Sequence, residues 1–411
     1  MNPPPLVHNG FAWRIFMANS EPVPPSERLV AVDALRGVAV FGILVVNMLF
    51  FAAPIPWISS AHWTGLADSI AMFVTEVFFT AKFYTTFALL FGFGFGLQME
   101  RAETAGRSFV PTYIRRVLML LLFGLLHASL VWFGDILHVY ALLGLLLIPF
   151  RRLAAAAIVP IALVALFIPV GLLFLAALAI SLVGDSAAAG TDSLFNTAEA
   201  IRIYSSGTWS EVHRQRLSDW MFLEGAALFF FPTIFAMFLA GHLLSRTQIA
   251  RRPADYRRLL RIVAIAGIGA GIPVNILAWW LQRGASPMEL GWRAAWHQAV
   301  LAVGAPLLAL GYGSLVLLLS DRQRVLAPFA AVGRMALTNY LLQSVIGTLI
   351  FYSYGLGLYG TLGPAALLPL AVAIFLVQVP LSFWWVKRFR YGPVEWIWRG
   401  ATYGRLPALR R

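Results

Sequence analysis

Long apolar runs, each closed by charges, prolines or a glycine cluster, recur along almost the whole chain. A helix needs roughly 20 such residues to cross a bilayer core. Ten segments qualify, at about 29–51, 70–97, 114–133, 136–150, 153–183, 221–244, 261–281, 295–319, 335–353 and 364–386. The fourth is short and the fifth long, so the hairpin turning at Gly134-Asp135 is expected to tilt or to enter incompletely. The pattern predicts an all-α polytopic membrane protein with about ten transmembrane helices. It forms one transmembrane domain over 27–405, between a proline-rich leader at 1–26 and a short tail at 406–411. The leader's apolar stretch, Phe11 to Met17, is too short for a signal peptide.

Composition agrees with the pattern and charge adds direction to it. Of 411 residues 60% are hydrophobic and 12% charged, with a mean hydropathy of +0.78, so the chain needs lipid as its solvent. Cysteine is absent, which excludes disulfides, thiolate metal sites and a cysteine nucleophile. The net charge of +13 comes from arginines in short clusters between apolar runs, not along one polar face, so it reports topology and not nucleic acid. With the amino terminus inside, every basic residue falls on the cytoplasmic side except Arg202, Arg214, Arg216, Arg283, Arg293 and Lys82. Both termini are therefore expected in the cytoplasm, with 184–220, which carries Asp185, Asp192, Glu199, Glu211, His213 and Asp219, as an outer cap containing amphipathic helix. No internal repeat suggests the inverted halves of a secondary transporter.

Ionisable and polar groups inside spans are costly, so each is a functional candidate. At the inner edge of the first span, Asp33 and Arg36 share a helical face and can pair. Arg36, Arg115, Arg116 and Arg334 all lie at inner helix ends, where they serve as ordinary positive-inside residues or converge on the phosphates of a nucleotide-containing cofactor. Toward the outer side are His62 with Asp68, then His127 with Asp135 and His138. A histidine oriented by a carboxylate is the minimal apparatus of a general base, and it also suits a proton relay or a helix–helix hydrogen bond. No metal site is expected, because no close ligand pair such as HExxH occurs. On the ninth span Asn339 and Gln343 stand one turn apart, as packing groups or as part of a substrate or cofactor pocket. The alternating run Phe91-Gly92-Phe93-Gly94-Phe95-Gly96 reads as close helix packing and not as a phosphate loop.

Several motifs together resemble the YeiB-like, DUF-418 family of bacterial membrane proteins. They are Asp33-Ala34-Leu35-Arg36-Gly37, Lys82-Phe83 ahead of Leu90-Phe91-Gly92, His127 with Gly134-Asp135-Ile136-Leu137, Gly333-Arg334-Met335-Ala336-Leu337-Thr338-Asn339-Tyr340, and Tyr391-Gly392-Pro393-Val394-Glu395-Trp396-Ile397-Trp398-Arg399. That family is grouped with transmembrane acyltransferases, among them heparan-alpha-glucosaminide N-acetyltransferase. The resemblance implies a multi-pass protein of the bacterial inner membrane that moves an acyl (acetyl) group from cytoplasmic acyl-CoA to a small-molecule or glycan hydroxyl or amine outside. His62 with Asp68 looks like the histidine loop of the glucosaminide enzyme, with one spacer shorter, and is the preferred base. His127 with Asp135 and His138 is second, and Asn47 replaces the histidine usual in acyltransferase family three. The rival readings are a small-molecule transporter or exporter and a non-catalytic membrane interaction protein. A homo-oligomer is left open.

Overall fold

The computed structural model of the protein describes residues 29–58, 62–183, 196–283 and 290–411. The leader at 1–26 and the first part of the cap lie outside them. Every regular element among the described residues is helical. We number the helices α1 (Val30–Ala52), α2 (Leu66–Phe78), α3 (Lys82–Thr104), α4 (Phe109–Leu130), α5 (Leu137–Leu146), α6 (Ala155–Val183) and α7 (Thr197–Ser206). The remainder are α8 (Trp209–Ser245), α9 (Arg257–Gln282), α10 (Trp292–Leu318), α11 (Gln323–Arg334), α12 (Ala336–Phe351), α13 (Pro364–Arg388) and α14 (Pro393–Tyr403).

Among the described residues eight helices or helix pairs are long and apolar enough to cross a membrane, and nine if the bent pair α11–α12 counts as one span. Their outward faces carry large apolar side chains such as Leu163, Val164, Leu175, Ile265, Leu376 and Val377. A soluble monomer does not leave so much apolar surface to water, so the protein is a multi-pass membrane protein whose outer layer faces lipid. The expected fourth span is α5, with ten residues; at about 1.5 Å per residue it covers half of a ~30 Å core.

Two other spans are broken, and in each the freed backbone groups are met. The second is two helices separated by Ala81, which adopts a left-handed conformation (φ 69°). The last carbonyls of α2 would stand orphaned in an apolar setting. Lys82, fully buried, donates through Nζ to the Glu76 carbonyl at 2.7 Å. The hydroxyl of Tyr312 reaches the Phe78 carbonyl at 3.2 Å and that of Thr80 the Thr75 carbonyl at 3.3 Å. The one basic residue that hydropathy places inside a span thus holds a helix end together. The second break, a 71° bend between α11 and α12, is held from outside by Glu395, as described below.

Helix α1 is the central staff, packed by α3, α10, α11, α12 and α13. Helices α3 and α8 meet along Gly92, Gly96 and Gly241, where a methyl group would strike the Phe238 carbonyl, the Ser245 hydroxyl and the Leu89 carbonyl. Two glycines of the Phe-Gly run therefore serve close packing, as expected. The third, Gly94, looks into the cavity described next. Helix α8 has 37 residues, about 55 Å, and relates the two ends of the bundle. Near one end Arg246 bonds the Leu153 carbonyl at 2.8 Å, and near the other Arg216 bonds the Ser129 carbonyl at 3.1 Å.

Candidate functional site

A cavity of about 320 Å³ opens between α1, α3, α4, α12 and α14. Six arginines line it: Arg36, Arg101, Arg116, Arg334, Arg390 and Arg399. They come from five helices, α1, α3, α4, α11 and α14, and from the α13–α14 loop, so only the folded bundle assembles them. Apolar and aromatic side chains line the rest, among them Val40, Ile43, Phe87, Leu120, Ile136 and Tyr340. Arg36 is paired with Asp33 at 2.8 Å and its side chain keeps 30% exposure. Arg116 lies over the Trp398 ring, 3.9 Å from its centre, while the indole N–H donates to the Arg116 carbonyl at 2.8 Å.

Glu395 fixes the wall that carries Trp398 and Arg399. Its buried carboxylate accepts from the backbone N–H groups of Leu337 (2.8 Å) and Thr338 (3.0 Å) and from the Thr338 hydroxyl (2.5 Å). These are the orphan donors of the first turn of α12, where the helix dipole also favours negative charge. Burial raises the Glu395 carboxyl above its ordinary pKa, against the lowering effect of the bonds from Thr338. One buried carboxylate thus ties α14 to the bend before α12 and places both across the mouth of the cavity.

Beyond the apolar depth of the cavity lies a buried polar chain. Asp135 precedes α5 and accepts from the His138 backbone N–H at 3.0 Å. The same carboxylate meets His127 Nδ1 at 2.8 Å through one oxygen and His138 Nδ1 at 2.7 Å through the other. His138 continues through Nε2 to Glu224, which also accepts from the Trp220 indole at 3.2 Å. Gly124 makes room, since a methyl there would press on Asp135 Oδ1 (2.7 Å) and on the His138 backbone nitrogen. With Nδ1–H donated to Asp135, His127 presents Nε2 as a lone pair, and that buried nitrogen has no partner among the described residues. The His127 ring lies 5.3 Å from the ring of Tyr340, which itself lines the cavity. Neither His127 nor Asp135 lines the cavity, and Tyr340 stands between it and the His127 ring; a histidine oriented by a carboxylate has the chemistry that a general base requires.

The other expected site residues fall elsewhere. His62 is exposed and stacked on Trp57 at 3.8 Å, and partial burial lowers its pKa. Asp68 accepts from the Ala365 backbone N–H at 2.9 Å, capping α13, and no bond between His62 and Asp68 occurs among the described residues. Arg115, unlike Arg116, is not among the cavity-lining residues. Asn339 and Gln343 are buried against α13, bonded to Ser382 (3.0 Å) and Gln378 (2.8 Å), where they join two helices. Sequence reasoning did not single out Arg101, Arg390, Arg399, Tyr340, Trp398 or Glu224. Its signal for Trp398 and Arg399 was the Tyr391–Arg399 motif, which carried a resemblance but no role.

The family model described as "Protein of unknown function (DUF418)" matches residues 244–405. The uncharacterized protein YxaH of Bacillus subtilis (strain 168) is 36% identical, over 94% of this chain and 97% of its own length. The uncharacterized protein YeiB of Escherichia coli (strain K12) is 32% identical over 92% and 96%. An uncharacterized 39.9 kDa protein in the amylase 3' region of Bacillus acidopullulyticus is 28% identical over 94% and 96%. No solved structure matches the chain.

Proposed function

The chain belongs to the DUF418 family with its relatives YeiB and YxaH, and from that premise we propose that it is an acyltransferase of the bacterial inner membrane, taking its acyl group from cytoplasmic acyl-CoA. The observation that carries the reading is one cavity with six arginines and an apolar interior, with a histidine held by Asp135 behind its Tyr340 wall. Guanidinium groups bind phosphate in a bidentate manner, and planar aromatic groups such as Trp398 and Tyr391 suit a nucleotide base. The volume is within the range of small-molecule sites, about 300–1,000 Å³, and suits an extended pantetheine arm with the nucleotide on the arginine rim.

In this reading the arginine end of the bundle, with both termini, faces the cytoplasm, as the positive-inside rule requires. The end with Arg202, Arg214 and Arg216 faces outward, and α5 adds a tenth, incomplete crossing. The base is His127 in preference to His62, because Asp135 orients it and it lies beside the cavity. His127 Nε2 takes the proton of the acceptor hydroxyl or amine as that atom attacks the thioester carbonyl. Asp135 stabilises the imidazolium through Nδ1. The carbon–sulfur bond breaks, and His127 returns its proton to the leaving thiolate.

The test is release of free CoA thiol from acetyl-CoA by purified protein in nanodiscs, offered candidate hydroxyl and amine acceptors. With no cysteine in the chain, a thiol reagent reads the product without background. His127→Ala is expected to abolish release while CoA binding, measured by calorimetry, persists. Absence of CoA binding to the wild-type protein would sink the reading.

A further inference from the structure

The cap-side end of α4 holds polar groups that the donor cavity does not use. Arg216, on the cap-side part of α8, has no solvent exposure. Its Nη1 donates to the Ser129 carbonyl, and its guanidinium carbon is 5.6 Å from the centre of the Trp209 ring. The Tyr354 side chain also interacts with the guanidinium, while Nε and Nη2 are buried and neither makes a well-formed hydrogen bond to the described residues. These two nitrogens lie along one edge of the guanidinium plane, with parallel N–H bonds, the fork that receives two oxygens of one anion. No carboxylate among the described residues fills it. Asp219, one turn along the same helix, is taken by the Tyr204 hydroxyl at 2.6 Å and by Gln215 at 2.8 Å.

Two more buried donors also lack partners, Tyr352 Oη, which interacts electrostatically with Arg216, and Trp132 Nε1. The group is continuous with the base. Ser129 lies two residues beyond His127, and the Trp132 backbone N–H donates to the His127 carbonyl at 2.9 Å. The Trp132 ring stands 6.3 Å from the His127 ring, while Phe133 and Tyr204 carry the contact on to Tyr352, which is 4.4 Å from Tyr204. A purely structural role for Arg216, capping the carbonyl end of α4, accounts for Nη1. It leaves Nε and Nη2 of a buried cation without a well-formed hydrogen bond, a cost that a bound anion would remove.

We propose that this cluster is the acceptor site, and that the acceptor carries a carboxylate or phosphate seated on the Nε–Nη2 edge of Arg216, with its reactive hydroxyl or amine directed to His127 Nε2. The site deepens the acyltransferase reading. It places donor and acceptor on opposite sides of one histidine. Trp132 and Tyr352 supply further hydrogen-bond donors for the acceptor's oxygens.

The experiment is calorimetric titration of the full-length protein in phosphatidylcholine nanodiscs with glycerol 3-phosphate, glycerate and neutral glycerol at constant ionic strength. Saturable binding is expected for at least one of the two anions, at least tenfold tighter than for glycerol. Arg216→Lys keeps the charge and the Ser129 contact but has no fork, and should weaken anion binding at least tenfold. Since Arg216 is remote from the arginine rim, the difference between the two proteins reports this site alone. Phosphatidylglycerol added to the nanodisc distinguishes the sources: competition marks a lipid-borne anion, and no competition a soluble one. Glycerol binding as tightly as the anions, binding of neither anion, or equal anion affinity in wild type and Arg216→Lys would each overturn the proposal. The first two need no variant. A parallel CoA titration separates the two readings, because Arg216-dependent anion binding without CoA binding would remove the acyl donor and leave this site standing.

Discussion

Replacing Asp135 by asparagine tests the candidate base with little change of shape. The carboxylate receives three N–H groups, from His127 Nδ1 at 2.8 Å, His138 Nδ1 at 2.7 Å and the His138 backbone at 3.0 Å. Asparagine has one carbonyl oxygen and one NH2 group, so it cannot accept from both rings. One imidazole must adopt the other tautomer, and where that is His127 the lone pair moves off Nε2. Loss of a charge-assisted bond to the imidazolium costs about 1.5–3 kcal/mol, a factor of roughly 10–150 in rate. With the tautomer shift added, turnover should fall by about 10²–10⁴, the scale of a lost general base and its orienting carboxylate. CoA affinity should stay within about twofold, because no rim contact changes. The assay is thiol release at saturating acetyl-CoA, with binding measured by calorimetry on the same preparation. Turnover within about threefold of wild type, in a variant that binds CoA normally, would refute the assignment of Asp135 and His127 to the reaction.

Arg36→Ala should weaken CoA binding by about 1–3 kcal/mol with folding intact, as for one charge-assisted contact; unchanged affinity would reduce Arg36 to a positive-inside residue. Gly124→Ala forces the start of α5 and Asp135 away from α4, and should cost about 1–3 kcal/mol as overpacking does, together with most of the turnover. Its thermal unfolding in detergent reads the first effect and thiol release the second, and a fully active variant would show that Asp135 need not sit so close. Glu395→Gln should lower stability by about 1–3 kcal/mol and weaken CoA binding, since the neutral amide loses the charge-assisted bonds at the α12 start; wild-type melting and affinity would contradict the bracing role. A reporter active only in the cytoplasm should work when fused after Arg411 and stay silent when fused within 196–215, and a signal from the latter would reverse the proposed orientation.

Hydropathy reads the long helices because lipid demands the same apolar length wherever a span falls. It does not read the breaks. At Ala81 and at Met335 the chain keeps its apolar composition while hydrogen bonds donated by Lys82 and Tyr312, and accepted by Glu395, replace those the helix loses. Asp135 and His127 were legible as partners because only eight residues and one turn separate them. Glu224 was not, since it joins the chain from 86 residues beyond His138. His62 and Asp68 illustrate the converse. Nearness in sequence suggests a pair, but a helix start arriving from 297 residues away takes the Asp68 carboxylate. Arg101, Arg390 and Arg399 were visible only as topological charge, because their convergence depends on α14 folding back onto α4. Asn339 and Gln343 are buried against partners on α13 that lie 43 and 35 residues further along the chain, a contact that their spacing on one helix does not reveal.

The placement of α14 has a consequence for how the protein is made. Arg390, Tyr391, Trp398 and Arg399 enter the cavity wall from a segment that leaves the ribosome after every long apolar helix has been synthesised. Insertion into the membrane and completion of the arginine-lined cavity are therefore separate events in time, and the nascent chain can reside in the bilayer with its arginine rim unfinished. A stop codon shortly after Lys387 should give a protein that is made, inserted and protease-protected in the membrane, yet blind to CoA. Quality control that senses only membrane insertion would pass it.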